Sequence, residues 1–153
     1  MLSSTVASRR LVSRAFSYAQ QQQQQHLARR WASIVVVSES DTPAILPATQ
    51  SAVTAATQLK DASDTIILVT AGTQGPPSQI PQGVDQVIHC ETQADHVTVE
   101  TWAQAVQQVL PEDAKYVLGT STKLGSSVIP RTAALVNVSP LSDVLQIHGK
   151  GEY

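Results

Sequence analysis

The chain has 153 residues, 42% of them hydrophobic and only 4% aromatic, with a formal net charge of −2. That length fits one domain, and its single cysteine, Cys90, excludes an internal disulfide and any multi-cysteine metal site. The charge is unevenly divided: Arg9, Arg10, Arg14, Arg29 and Arg30 precede the first acid, Glu39, whereas residues 39–153 hold all twelve acids against five bases, giving +5 and −7. So acidic a body excludes nucleic acid as a partner, because neutralising phosphates needs clustered Lys and Arg.

Residues 1–31 are Arg-rich, Ser-rich and free of acids, the composition of a mitochondrial transit peptide. Leu2, Val6, Val12 and Phe16 fall loosely along one helical stripe, and Gln20 to Gln25 form a low-complexity spacer. Arg14-Ala15-Phe16-Ser17 resembles an import-processing site, with Arg29-Arg30-Trp31-Ala32 as a second one nearer the folded part. The segment is expected to be disordered and removed on import. Nowhere does the chain approach the ~20 consecutive apolar residues of a membrane span.

From residue 32 onward, strand-like and helix-like runs alternate. Ile34-Val35-Val36-Val37 is a continuous β-branched run, as in a strand covered on both faces. Pro43 and Pro47 mark a loop and a helix start, and Ala48, Ala52, Val53, Ala55, Ala56 and Leu59 give that helix one apolar face. Thr65 to Val69 is a second buried strand closed by Ala71-Gly72. Thr73 to Gly83, rich in Pro and Gly, is a loop. Val84 to His89 predicts a third strand. Val99, Trp102, Ala103, Val106, Val109 and Leu110 line a second helix, ended by Pro111. Tyr116 to Gly119 is a fourth strand, leading into the helix-capping residues Thr120-Ser121-Thr122. A third helix is predicted over Leu124 to Val136, with Pro130 either opening its regular part or kinking it. Leu141 to Ile147 is predicted as a last strand running into a hairpin turn at Gly149-Lys150-Gly151. The fold class expected is α/β, a mainly parallel sheet with flanking helices and right-handed crossovers.

Few residues carry chemistry. His89, His96 and His148 lack metal-ligand spacing. His96 sits near Cys90, Glu91 and Asp95, but a Cys and a His six residues apart in a polar loop make a weak nucleophile signal, and a buried spectator thiol is the simpler reading of Cys90. The segment with motif character is Gly119-Thr120-Ser121-Thr122-Lys123-Leu124-Gly125-Ser126-Ser127. Its backbone N–H groups can face an anion at a helix N-terminus, yet it is neither a Walker A loop nor a G-x-G-x-x-G fingerprint. On local evidence it is a tight strand-to-helix turn whose glycines permit close packing.

Several segments, in order and spacing, resemble the electron-transfer flavoprotein alpha subunit family. They are Tyr116 to Ser121, Lys123-Leu124-Gly125, Ile129-Pro130-Arg131-Thr132-Ala133-Ala134-Leu135 and Ser139-Pro140-Leu141-Ser142-Asp143-Val144. Upstream, Val37-Ser38-Glu39, Leu46-Pro47-Ala48-Thr49, Val53-Thr54-Ala55-Ala56 and Val69-Thr70-Ala71-Gly72 also match. The resemblance spans about residues 33–153 and departs after Gly72, where the family usually has a helix. It implies a Rossmann-like, adenine nucleotide alpha hydrolase-like N-terminal domain over residues 32–153, without the FAD-binding domain that follows in the family. It also implies an electron-carrier subunit of the mitochondrial matrix, not an enzyme. In the family that subunit pairs with a beta subunit, and FAD takes electrons from acyl-CoA and other dehydrogenases and passes them to a membrane quinone oxidoreductase. No flavin-contact motif of the family has a matching position here, so no catalytic, cofactor-binding or metal residue is assigned, and the chain alone is expected to bind no FAD. Two other readings remain: a free-standing adenine-nucleotide-binding module of the universal-stress-protein type, and an interaction domain that regulates assembly with the beta subunit.

Overall fold

Continuous β-branched runs need cover on both faces, and the computed structural model supplies it; the structure describes residues 32–39, 45–72, 75–91 and 98–147, all within the unit Ala32–Tyr153. The elements in chain order are β1 (Ser33–Glu39), α1 (Pro47–Leu59), β2 (Thr65–Gly72), β3 (Gln86–Glu91), α2 (Val99–Val109), β4 (Ala114–Gly119) and α3 (Lys123–Leu135). The four strands form one sheet in the order β3-β2-β1-β4, every pair parallel. This is the α/β architecture that the alternating pattern predicts.

Side chains alternate across a strand, and here the alternation assigns each residue to a helix layer. Ile34, Val36, Ile66 and Leu68 pack with Ala52, Val53, Ala56 and Leu59 of α1. Their neighbours Val35, Val37, Ile67, Val69 and Ala71 pack on the opposite face with Trp102, Ala103 and Val106 of α2 and Val128 of α3. Each face is thus an aliphatic layer, Ile- and Leu-rich under α1 and mostly Val under α2 and α3, with Trp102 the largest fully buried side chain.

Local chemistry sets the element ends. Pro47 stands in the first turn of α1, where its missing N–H costs nothing. Thr98 caps α2 by accepting from the Thr101 N–H at 3.2 Å, and Glu100 in the first turn suits the positive end of the helix dipole. The helix ends at Val109, before Pro111. α3 runs through Pro130 rather than starting there. At its end Asn137 takes a left-handed conformation, φ 58°. Its N–H donates to the Ala134 carbonyl and that of Val138 to the Ala133 carbonyl, the paired bonds of a Schellman stop.

The sheet's amino-terminal rim is fastened by ions. Lys115 stands as an extra residue in β4, since Ser33 pairs with Ala114 but Ile34 with Tyr116. Its Nζ reaches Asp61 at 3.0 Å and the buried Asp64 at 3.1 Å. Asp85 accepts the Ile66 N–H at 2.8 Å and Lys60 Nζ at 2.6 Å, tying β2 to the turn before β3. The Ile66 N–H first, and Lys60 after it, hold the Asp85 carboxyl below the ordinary 3.8. A depressed carboxyl stabilises the fold above its unfolded value and ceases to do so as pH falls through the folded value. Asp85→Asn is therefore expected to cost less than about 1 kcal/mol at pH 7, since the pair is partly exposed. The gap in urea midpoint between the two proteins should narrow when the titration is repeated below pH 3.8. An unchanged gap would show that the charge contributes nothing.

Two expectations are corrected. Leu141–Ile147 is not a strand: it pairs with no strand, and Leu141, Val144 and Leu145 are exposed, the last at 98%. Asp143, at φ 56°, turns the chain out of the extended conformation in mid-segment. The third strand begins at Gln86, not Val84, because Val84 donates back to the Pro81 carbonyl in a turn. No helix or strand is formed over the described part of the β2–β3 connection, residues 75–85. The expected hairpin turn at Gly149-Lys150-Gly151 and the segment 1–31 lie outside the described residues.

Candidate functional site

In an open parallel sheet, ligands lie outside the carboxyl ends of the strands where the strand order reverses. Here β1 continues to β2 on one side while β4 adds to β1 on the other, so the reversal falls between β1 and β4. Glu39 ends β1 there, and Thr120-Ser121-Thr122 follow β4.

The turn from β4 into α3 is built by contact. Thr122 Oγ1 accepts the Gly125 N–H at 3.1 Å, capping the helix. Its hydroxyl donates to the Glu39 carboxylate. That commits the Thr122 proton, so Thr120 Oγ1, 3.1 Å away, is the donor in the remaining contact. One hydroxyl thus joins β1, β4 and α3. The helix N-terminus, which ordinarily attracts anions, already has the chain's own Glu39 carboxylate bonded to its cap. Gly125 sits so close to the strand end that a Cβ there would lie 2.1 Å from the Thr120 carbonyl oxygen. A Cβ at Gly119 would lie 2.3 Å from Ile129 Cγ1. These glycines bring helix and strand together; they do not open a cradle.

On the α1 side of the same rim the alternation that buries Ile34, Val36, Ile66 and Leu68 continues into polar residues. Ser38 pairs in register with Thr70, and Thr70 with His89. Ser38 Oγ lies 2.5 Å from Thr49 Oγ1 of α1 and donates to its neighbour's carbonyl, that of Glu39, at 3.0 Å. Thr70 Oγ1 lies 2.9 Å from His89 Nδ1. The His89 Nε2 atom is buried without a hydrogen-bond partner. Ser38, Thr49 and Thr70 are all buried, so this row is a polar end layer of the core beneath the start of α1. It pairs Ser38 with Thr49 and Thr70 with His89; the Thr70 hydroxyl is itself buried. The row was legible in sequence: extending the period of two past Val36 and Leu68 reaches Ser38 and Thr70, and only their burial needed the structure.

Cys90 and Glu91 end β3, and burial pushes the Cys90 thiol above its ordinary value. A raised thiol is a poorer nucleophile at neutral pH. Asp95 and His96 lie outside the described residues. Among the described residues, no cluster of three or more His, Cys, Asp or Glu is placed to hold a metal ion, and no helix is long and apolar enough to cross a membrane.

With this geometry in place, the similarities of the chain are informative. The profile of the family described as "Electron transfer flavoprotein domain" matches residues 34–153. The chain is 29% identical over 136 residues to the mitochondrial electron transfer flavoprotein subunit alpha of Arabidopsis thaliana, covering 81% of this chain and 36% of that protein. It is 30% identical over 131 residues to the probable mitochondrial electron transfer flavoprotein subunit alpha of Caenorhabditis elegans, covering 82% and 39%. The subunit alpha of Oryza sativa subsp. indica is 28% identical over 125 residues, covering 75% and 35%. The chain thus spans little more than a third of the length of these curated relatives. No solved structure matches it.

Proposed function

The chain belongs to the electron transfer flavoprotein domain family, and on that premise we propose that it serves as the alpha-type amino-terminal domain of a mitochondrial electron carrier, not as an enzyme. The observation that carries this reading is the match over residues 34–153, which takes in every strand and helix among the described residues but the first residue of β1. The named relatives, alpha subunits of mitochondrial proteins, favour the alpha type over any other member. In such a carrier the flavin of FAD supplies the redox chemistry, and protein supplies binding, orientation and electrostatics. The whole carrier takes electrons from acyl-CoA and other matrix dehydrogenases and delivers them to the membrane quinone oxidoreductase. The work of this domain is to pair with the beta subunit.

The carboxyl rim does not fit FAD. A dinucleotide needs N–H groups and positive potential for its pyrophosphate, whereas at the start of α3 Thr122 takes the Gly125 N–H and its hydroxyl holds the Glu39 carboxylate beside it. Glu39 would meet a pyrophosphate as like charge against like charge. The same contacts weigh against a free-standing adenine-nucleotide module. The test is to express the chain with a beta subunit, purify by a tag on one of them, and separately incubate the chain alone with excess FAD or ATP before desalting. Stable co-purification is expected, with neither flavin absorbance nor nucleotide retained by the chain alone. Stoichiometric retention of ATP without beta-subunit association would replace this reading with the nucleotide module.

A mitochondrial location is supported by the names of the relatives and by the acid-free, Arg-rich segment 1–31, and the matrix is the proposed compartment. Protein recovered from mitochondria is expected to begin after Arg14 or after Arg30. Amino-terminal sequencing that finds an intact Met1 on imported protein would remove the transit-peptide assignment.

A further inference from the structure

We draw no further inference here: the strongest candidate, the exposed apolar strip of Leu135, Val138, Leu141, Val144 and Leu145 at and beyond the end of α3, carries nothing because no feature of the structure shows what covers it.

Discussion

Gly125→Ala is expected to destabilise the fold by about 3 kcal/mol, the upper end of what overpacking a tight site costs. Two effects oppose each other at this position. Alanine is a better helix residue than glycine by about 1 kcal/mol in a helix interior, and Gly125 lies in the first turn of α3. Against that, the added Cβ would lie 2.1 Å from the Thr120 carbonyl oxygen and 2.8 Å from its Oγ1. The first obstacle is backbone at the end of β4, so relief requires α3 to lift from the strand and break the Thr122 cap. The clash therefore wins. The comparison is Gly119→Ala, whose obstacle is the Ile129 side chain at 2.3 Å. There Ile129→Ala should recover part of the loss, and a double-mutant cycle in urea would show that coupling. Gly125→Ala should show no such rescue. A Gly125→Ala protein as stable as the parent would mean that the helix does not seat on Thr120.

That contrast also shows how far the sequence could be read. Ile34 to Val37 and Thr65 to Val69 announce doubly covered strands because nearly every residue is apolar, and the structure buries both runs almost entirely. The apolar spacing of α2 likewise predicts Trp102, Ala103 and Val106 as its buried face. Where the reading failed, backbone conformation overrode composition. Leu141 to Ile147 has the content of a strand, but it follows the Schellman stop around Asn137 and is interrupted by Asp143 at positive φ, and its last residue, Ile147, packs on the α1-side core without strand pairing. Nothing in a one-residue-at-a-time reading specifies those turns, since Asp and Asn tolerate the left-handed region without requiring it.

The candidate site was legible only in part, for a related reason. Gly119 and Gly125 stood out as local punctuation, and whether they open a cradle or close a contact depends on atoms ten residues away in Ile129 or across the turn in Thr120. The partner that decides the electrostatics is Glu39, 83 positions before Thr122. Local spacing cannot report a contact between the end of one strand and the cap of a helix six elements later. Ser38 and Thr49 are nearer in sequence, 11 positions apart, yet they meet only because α1 folds back over β1.

The other large effect is expected at Trp102. Its side chain is only 2% exposed and packs in the layer of Val35, Val37, Ile67, Val69 and Val128. Those neighbours are short and branched, held by strands already paired on both sides or by α3, so they cannot collapse into the space an indole leaves. Trp102→Ala should therefore cost both the lost burial and the cavity, about 3–5 kcal/mol for an aromatic truncated in a core. Domains of this kind have only about 5–15 kcal/mol to lose, so the variant should unfold at much lower urea, followed by far-ultraviolet circular dichroism. Trp102→Phe keeps much of the ring, should lose less, and keeps the comparison quantitative if the alanine variant does not fold. Leu145→Ala supplies the surface reference: at 98% exposure it should change stability by no more than about 0.5 kcal/mol. The ordering expected is parent and Leu145→Ala together, Trp102→Phe below them, and Trp102→Ala last. If Trp102→Ala tracked Leu145→Ala instead, α2 would not be anchored to the sheet through this side chain. The layer that covers Val35 and Val37 would then have to be held by Ala103, Val106, Val128 and the partly buried residues around them.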